Sequence, residues 1–157
     1  MVTAKFRMLA STVVICGLMM VCTLDAQSGK TQAQQLVDST VQKNGDLAGL
    51  EVSATPTGKT TCVTIAATEA KDIGEKCDED EFAALKAGKP RVERESDGYD
   101  VTAPLHDARG KLVGTIGIDF KLLPGQTDES ILQRTGELLK QLEPQISSKE
   151  FLLRPAS

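Results

Sequence analysis

Aromatic and histidine side chains are scarce in this chain: there is no Trp, one Tyr, four Phe and a single His in 157 residues. Basic residues are outnumbered as well, 18 Lys and Arg against 22 Asp and Glu, and they form no cluster. An acidic chain without a basic patch is a poor partner for nucleic acid, so that class is set aside. With His106 as the sole histidine, triad chemistry has one candidate base, and no G-x-S-x-G or Cys and His pairing accompanies it. No enzyme activity is expected. Nor does His106 have a Cys or carboxylate at metal-ligand spacing, and it reads as an exposed turn residue.

Other motifs are present only in part. Gly29-Lys30-Thr31 and Gly58-Lys59-Thr60 look like the end of a phosphate-binding loop, but both lack the Gly five residues earlier and read as polar turns. The acidic run Glu75, Asp78, Glu79, Asp80, Glu81 lacks the Gly that an EF-hand loop needs, so it reads as a solvated approach to a helix N-terminus. No metal and no cofactor is expected. Repeats and low-complexity segments are absent.

Only one long apolar run exists. Lys5 and Arg7 precede Met8 to Leu24, and Leu24-Asp25-Ala26 ends on a small residue. This is the layout of a signal peptide cut after Ala26, which places the protein in the periplasm or outside the cell. At about 17 residues the run is at the bottom of the spanning range, so an uncleaved anchor is the alternative. Lipidation of Cys16 or Cys22 is the third reading, disfavoured by the bulky Val14-Ile15 and Met20-Val21 before them. Cleavage would leave residues 27–157 as one domain, with a net charge of about −5.

What is present in strength is alternation. From Tyr99 to Phe120, two strands flank the turn Asp107-Ala108-Arg109-Gly110. Val101, Ala103 and Leu105 share one face of the first arm, opposed by Asp100, Thr102, Pro104 and His106. Leu112, Gly114, Ile116, Ile118 and Phe120 share a face of the second, opposed by Val113, Thr115, Gly117 and Asp119. One face reads as core and the other as a pocket wall.

The remaining elements follow in order. Ser28 to Lys43 has Ala33, Leu36, Val37 and Val41 at helical spacing and stops at Asn44-Gly45. Leu47 to Thr55 and Thr60 to Thr68 form a hairpin about Pro56-Thr57-Gly58-Lys59, and residues 69–81 form an exposed connection. A short helix from Asp80 to Ala87, with Phe82 and Leu85 inward, precedes an edge strand from Arg91 to Glu95. Thr127 caps a last helix with Ile131, Leu132, Leu138, Leu139 and Leu142 inward. Pro144 interrupts it, 146–153 dock, and Arg154 to Ser157 fray. The order defines an α+β domain: a five-stranded, mostly antiparallel sheet with long N-terminal and C-terminal helices on one face.

Cys62 and Cys77 remain after cleavage. In an oxidising compartment a bridge is favoured over free thiols or a metal or redox role, and its loop of about 15 residues is worth roughly 3 kcal/mol.

Three segments carry a family resemblance: Thr102-Ala103-Pro104-Leu105, the turn Asp107-Ala108-Arg109-Gly110, and Leu112-Val113-Gly114-Thr115-Ile116-Gly117-Ile118-Asp119-Phe120. They resemble a single Cache domain, the PAS-like extracellular sensor fold of bacterial receptors. Leu50-Glu51-Val52-Ser53, Thr64-Ile65-Ala66-Ala67-Thr68 and Leu85-Lys86-Ala87-Gly88-Lys89 support it.

The resemblance implies a small-molecule site on the sheet face away from the long helices. In carboxylate-sensing relatives a basic residue stands on the strand leading into the Pro; here Asp100 stands two residues before Thr102, which argues against dicarboxylates and towards a neutral or cationic ligand. Tyr99, Asp100, Thr102, Thr115, Lys71 and Arg91 form the candidate ligand set, by strand alternation and nearness to the covering loop. Such domains usually join an intracellular effector, so this chain reads as a stand-alone secreted sensor serving a membrane receptor. The alternative is a structural, dimerising Cache fold without a pocket.

Overall fold

The computed structural model describes residues 29–156; the leader assigned to residues 1–26 lies outside them. Helix α1 (Gln32–Lys43) opens on the side chain of Thr31, which accepts from the Gln34 amide. The strands are β1 (Leu47–Ala54), β2 (Val63–Ala67), β3 (Arg91–Arg94), β4 (Gly98–His106) and β5 (Leu112–Lys121). Between β2 and β3 lies α2 (Glu79–Ala87); α3 (Asp128–Leu142) and the short α4 (Lys149–Leu152) close the chain.

The sheet runs β2-β1-β5-β4-β3, and every neighbouring pair is antiparallel. Its inner face carries Leu47, Leu50, Val52, Tyr99, Val101, Ala103, Leu105, Ile116, Ile118 and Phe120. These form one core with Ala33, Leu36 and Val37 of α1, Ile131, Leu138 and Leu142 of α3, and Leu152 of α4. The expected α+β architecture is therefore the observed one.

Several local expectations are corrected, among them Leu132, which is 41% exposed on α3 and not inward. Leu112 is 47% exposed and Val113 is buried, because a register shift at Leu105/His106 pairs His106 with Leu112 and Leu105 with Gly114, leaving Val113 as the extra, inward residue. Helix α2 lies against the outer face, not the core face, and Phe82 is 54% exposed. The buried residues of α2 are Glu81 and Ala84. Glu81 turns the helix because it accepts from the Thr115 hydroxyl at 3.0 Å and, in a capping box, from the Asp78 amide at 2.9 Å. Strand β2 starts at Val63, after residues that do not pair. Residues 154–156 do not fray: Gln32 donates to the Arg154 carbonyl at 2.8 Å and Ala156 to the Lys30 carbonyl, clasping the two ends of the described chain.

Three polar ties fix the loops. The buried Asp107 carboxylate accepts from the Lys111 and Arg109 amides inside the β4–β5 turn, which hold its pKa below the usual carboxylate range. Arg134 of α3 donates to Asp46 at 2.8 Å and to Asn44 at 2.7 Å, pinning the α1–β1 connection. His106 is half-buried, not exposed, with Nδ1 and its backbone amide both on Oε1 of Glu143, at 2.9 and 3.0 Å.

Candidate functional site

The outer sheet face is divided by α2. One row of register partners, Thr64, Ser53, Thr115 and Pro104, lies under the helix, where Ser53 and Thr64 share a hydrogen bond of 3.2 Å and Thr115 is committed to Glu81. Two residues along the strands the face is open. There Glu51 of β1 lies beside Gly117 of β5, and in the next row Gly49, Asp119 and Asp100 stand side by side on β1, β5 and β4. This end forms a cleft of about 370 Å³. Its floor carries Glu51, Asp100 and Asp119, one wall Glu69 and Asp72, and the other Glu95 and Asp97.

The glycines seat the carboxylates. A methyl on Gly117 would lie 2.7 Å from Cγ of Glu51, and one on Gly49 would overlap the Asp119 carboxylate. Each acid thus lies over a glycine of the neighbouring strand, where a Cβ would require the carboxylate side chain to move aside.

The cleft is lined by seven carboxylates and no Lys or Arg. Burial pushes Glu51 up to about 7, helped by Glu81, Asp119, Asp72 and Asp100. Burial likewise raises Asp100 to about 6, with Asp119, Glu95, Glu93 and Asp80 adding to it. Asp119 is raised as well, by burial of its carboxylate and then by Glu95, Asp72 and Asp97. Two basic residues of the sheet are engaged elsewhere: Arg91 pairs with Asp80 and, at 3.4 Å, Glu93, and Lys121 donates to the Gly45 carbonyl at 2.9 Å.

Of the six candidate ligand residues, only Asp100 points its side chain into this cleft. Tyr99 borders it but shares the inner face with Val101; it is 2% exposed and donates from its hydroxyl to the Gln126 carbonyl at 3.2 Å. Thr102 and Thr115 are buried away from the opening, Lys71 is exposed in a 3-10 turn (Ala70–Asp72) and does not line it, and Arg91 is ion-paired. We expect Tyr99→Phe to lower the unfolding free energy by about 1 kcal/mol, measured by urea denaturation, because one net hydrogen bond is lost. Ligand affinity should stay unchanged.

Sequence reasoning missed Glu51, Asp119, Glu69, Asp72, Glu95 and Asp97. The available signal was alternation, which already set Asp119 on the outer face. Cys62 and Cys77 are joined in a disulfide with Cα atoms 5.3 Å apart. Among the described residues no group of three or more His, Cys, Asp or Glu is placed to hold a metal ion. No described helix is long and apolar enough to cross a membrane.

Comparison with solved structures places this architecture. The chain is similar to a GAF sensor protein from Burkholderia vietnamiensis, with 15% identity, 75% of this chain and 76% of that chain covered, and a TM-score of 0.51. Weaker likenesses are to the second GAF domain of DevS from Mycobacterium smegmatis (15% identity, 67% and 83% covered, TM-score 0.49) and to a type II free methionine-R-sulfoxide reductase from Thermoplasma acidophilum (19%, 80% and 95%, 0.44). No family model and no curated protein matches the chain. The fold is that of the GAF and PAS-like sensor domains. At these identities the likeness is one of fold, and what the cleft binds has to be argued from its own chemistry.

Proposed function

We propose that the chain is an exported, non-enzymatic sensor module of Cache-like type whose cleft binds a small organic cation and signals its occupancy to a membrane partner. The observation that carries this reading is the pair Asp100 and Asp119, directly opposed on adjacent strands with Glu51 beside them and no protein cation between. Like charges directly opposite on a sheet are destabilising. A positive ligand centre set among them removes that cost, whereas a dicarboxylate would add to it. The sensor fold supports the binding role by analogy.

A thermal-shift panel tests the reading. Primary amines, diamines and cationic amino acids should raise Tm, while citrate and C4-dicarboxylates should not. Asp100→Asn should weaken the best amine by about tenfold or more, as loss of a charge-assisted hydrogen bond implies. A panel in which no amine stabilises the protein sinks the reading.

The structural alternative draws on α2, whose buried residues Glu81 and Ala84 lie against the outer face, Glu81 bound to Thr115. It would be favoured by a stable dimer in light scattering together with silence across the panel.

A further inference from the structure

The segment between β2 and α2 supplies one cleft wall through Glu69 and Asp72, yet it has almost no hold on the core. Ile73, its one large apolar residue, is 45% exposed, and no residue from Thr68 to Cys77 is buried. What holds it is a short ladder on the outer edge of β2. Thr64 donates to the Glu75 carbonyl at 2.9 Å, Gly74 to the Thr64 carbonyl at 2.9 Å, and Cys77 to the Cys62 carbonyl at 3.2 Å. The Cys62–Cys77 disulfide closes the ladder's far end.

On both sides the chain is fastened independently of that bond. Thr68 is tied to Leu50 by its amide and its hydroxyl, and Asp78 begins the capping box of α2. A strap with exposed hydrogen bonds and no buried apolar contact belongs to the part of a protein that opens first.

We propose that the Cys62–Cys77 bond is a redox-operated clasp on the cleft wall. With the bond intact, residues 69–77 lie along β2; once it is reduced, they leave the outer edge of β2 while Thr68 stays tied to Leu50 and the five strands and the helices stay folded. The reductant is a dithiol, small or protein-borne. Its two thiols transfer two electrons and two protons, the Cys62–Cys77 bond breaks to two thiols, and the dithiol closes to its own disulfide. Cys77 is part-exposed, which gives a thiolate access to the bond. Control of ligand binding by the clasp rests on reading the cleft as the ligand site.

Amide hydrogen exchange on the full chain, before and after dithiothreitol, tests the clasp. Thr64, Gly74 and Cys77 should lose protection by at least tenfold on reduction and regain it on reoxidation, while Val52, Ile116 and Ile118 keep theirs. Unchanged protection at the first three overturns the proposal, as does loss spreading to Ile116 and Ile118, which would make the bond a staple of the whole fold. Cys62→Ser/Cys77→Ser should show the reduced pattern with or without dithiothreitol; should it fail to fold, the native chain still decides.

Calorimetry with 1,4-diaminobutane separates the two readings. Tenfold weaker binding after reduction supports control by the clasp, and equal binding in both forms overturns it. Absence of binding even to the oxidised protein removes the cation reading and the control with it, while the exchange result stands on its own.

Discussion

Phe120→Ala should lower the unfolding free energy by about 3–5 kcal/mol, the largest loss expected from any single truncation in this chain. Phe120 is 1% exposed on the central strand β5, with Leu47 of β1 and Tyr99 of β4 as its register partners on the inner face. Removing the ring leaves a cavity under three strands at once, and paired strands cannot close in to refill it. The expected readout is a urea midpoint shifted at constant slope, with Tm lower by about 10 °C or more. Leu123→Ala, at a side chain 46% exposed in the β5–α3 loop, should stay within about 0.5 kcal/mol and serves as the control. Equal losses for the two would mean that the core is not built about this row. Because Asp119 is the next residue on β5, the cavity should also disturb the cleft floor, so Phe120→Ala is a test of stability and not of ligand contact.

Much of this fold is written in period-two alternation and helical spacing, which is why the β4–β5 hairpin, α1 and α3 were legible. What alternation cannot supply is the register across a bulge. An unbroken ladder running from His106 opposite Leu112 would set Asp100 opposite Ile118; the one-residue shift beside Leu105 sets it opposite Asp119 instead. The acidic pairing that defines the site is created by that shift, so Asp100 could be chosen from the sequence while its opposite number was passed over. Glu51 escaped for a second reason. It comes from a strand that is far away in the chain, and the order β2-β1-β5-β4-β3, which brings β1 beside β5, is a tertiary fact. Tyr99, which suits a core edge as well as a pocket wall, takes the core edge: by parity it shares the face of Val101, and it borders the cleft without turning its hydroxyl into it. Arg91 and Lys71 come from strand alternation and nearness to the covering loop, neither of which reveals the ion pair that occupies Arg91.

The ligand-free protein should become more stable as pH falls from 8 to 5, by about 2 kcal/mol, and Glu51→Gln should remove roughly half of that gain. Glu51 sits at about 7 in the native state against an ordinary 4.5, Asp100 at about 6 against 3.8, and Asp119 is raised in the same direction. An acid whose native pKa is raised holds its proton where the unfolded chain has already lost it. Its stabilising effect is therefore complete below the unfolded values, near pH 4, shrinks as pH rises, and is gone above about pH 7. The full shifts would predict more than 2 kcal/mol; the three groups keep contact with water in an open cleft, and screening reduces the effect. Between pH 8 and 5 the lowered carboxylates of Asp46 and Asp107 stay ionised whether the chain is folded or not, so they add no slope in this window. At pH 8 Glu51→Gln should raise the unfolding free energy by about 1 kcal/mol, and at pH 4 it should change nothing. A bound amine should invert the sense of the profile, because the site holds it best with all three carboxylates charged, so the gain in Tm from ligand should grow from pH 5 to 8. Flat stability across this window, together with an unshifted Glu51→Gln variant, would show that the carboxylates do not oppose one another and would take away the physical reason for a cation in the cleft.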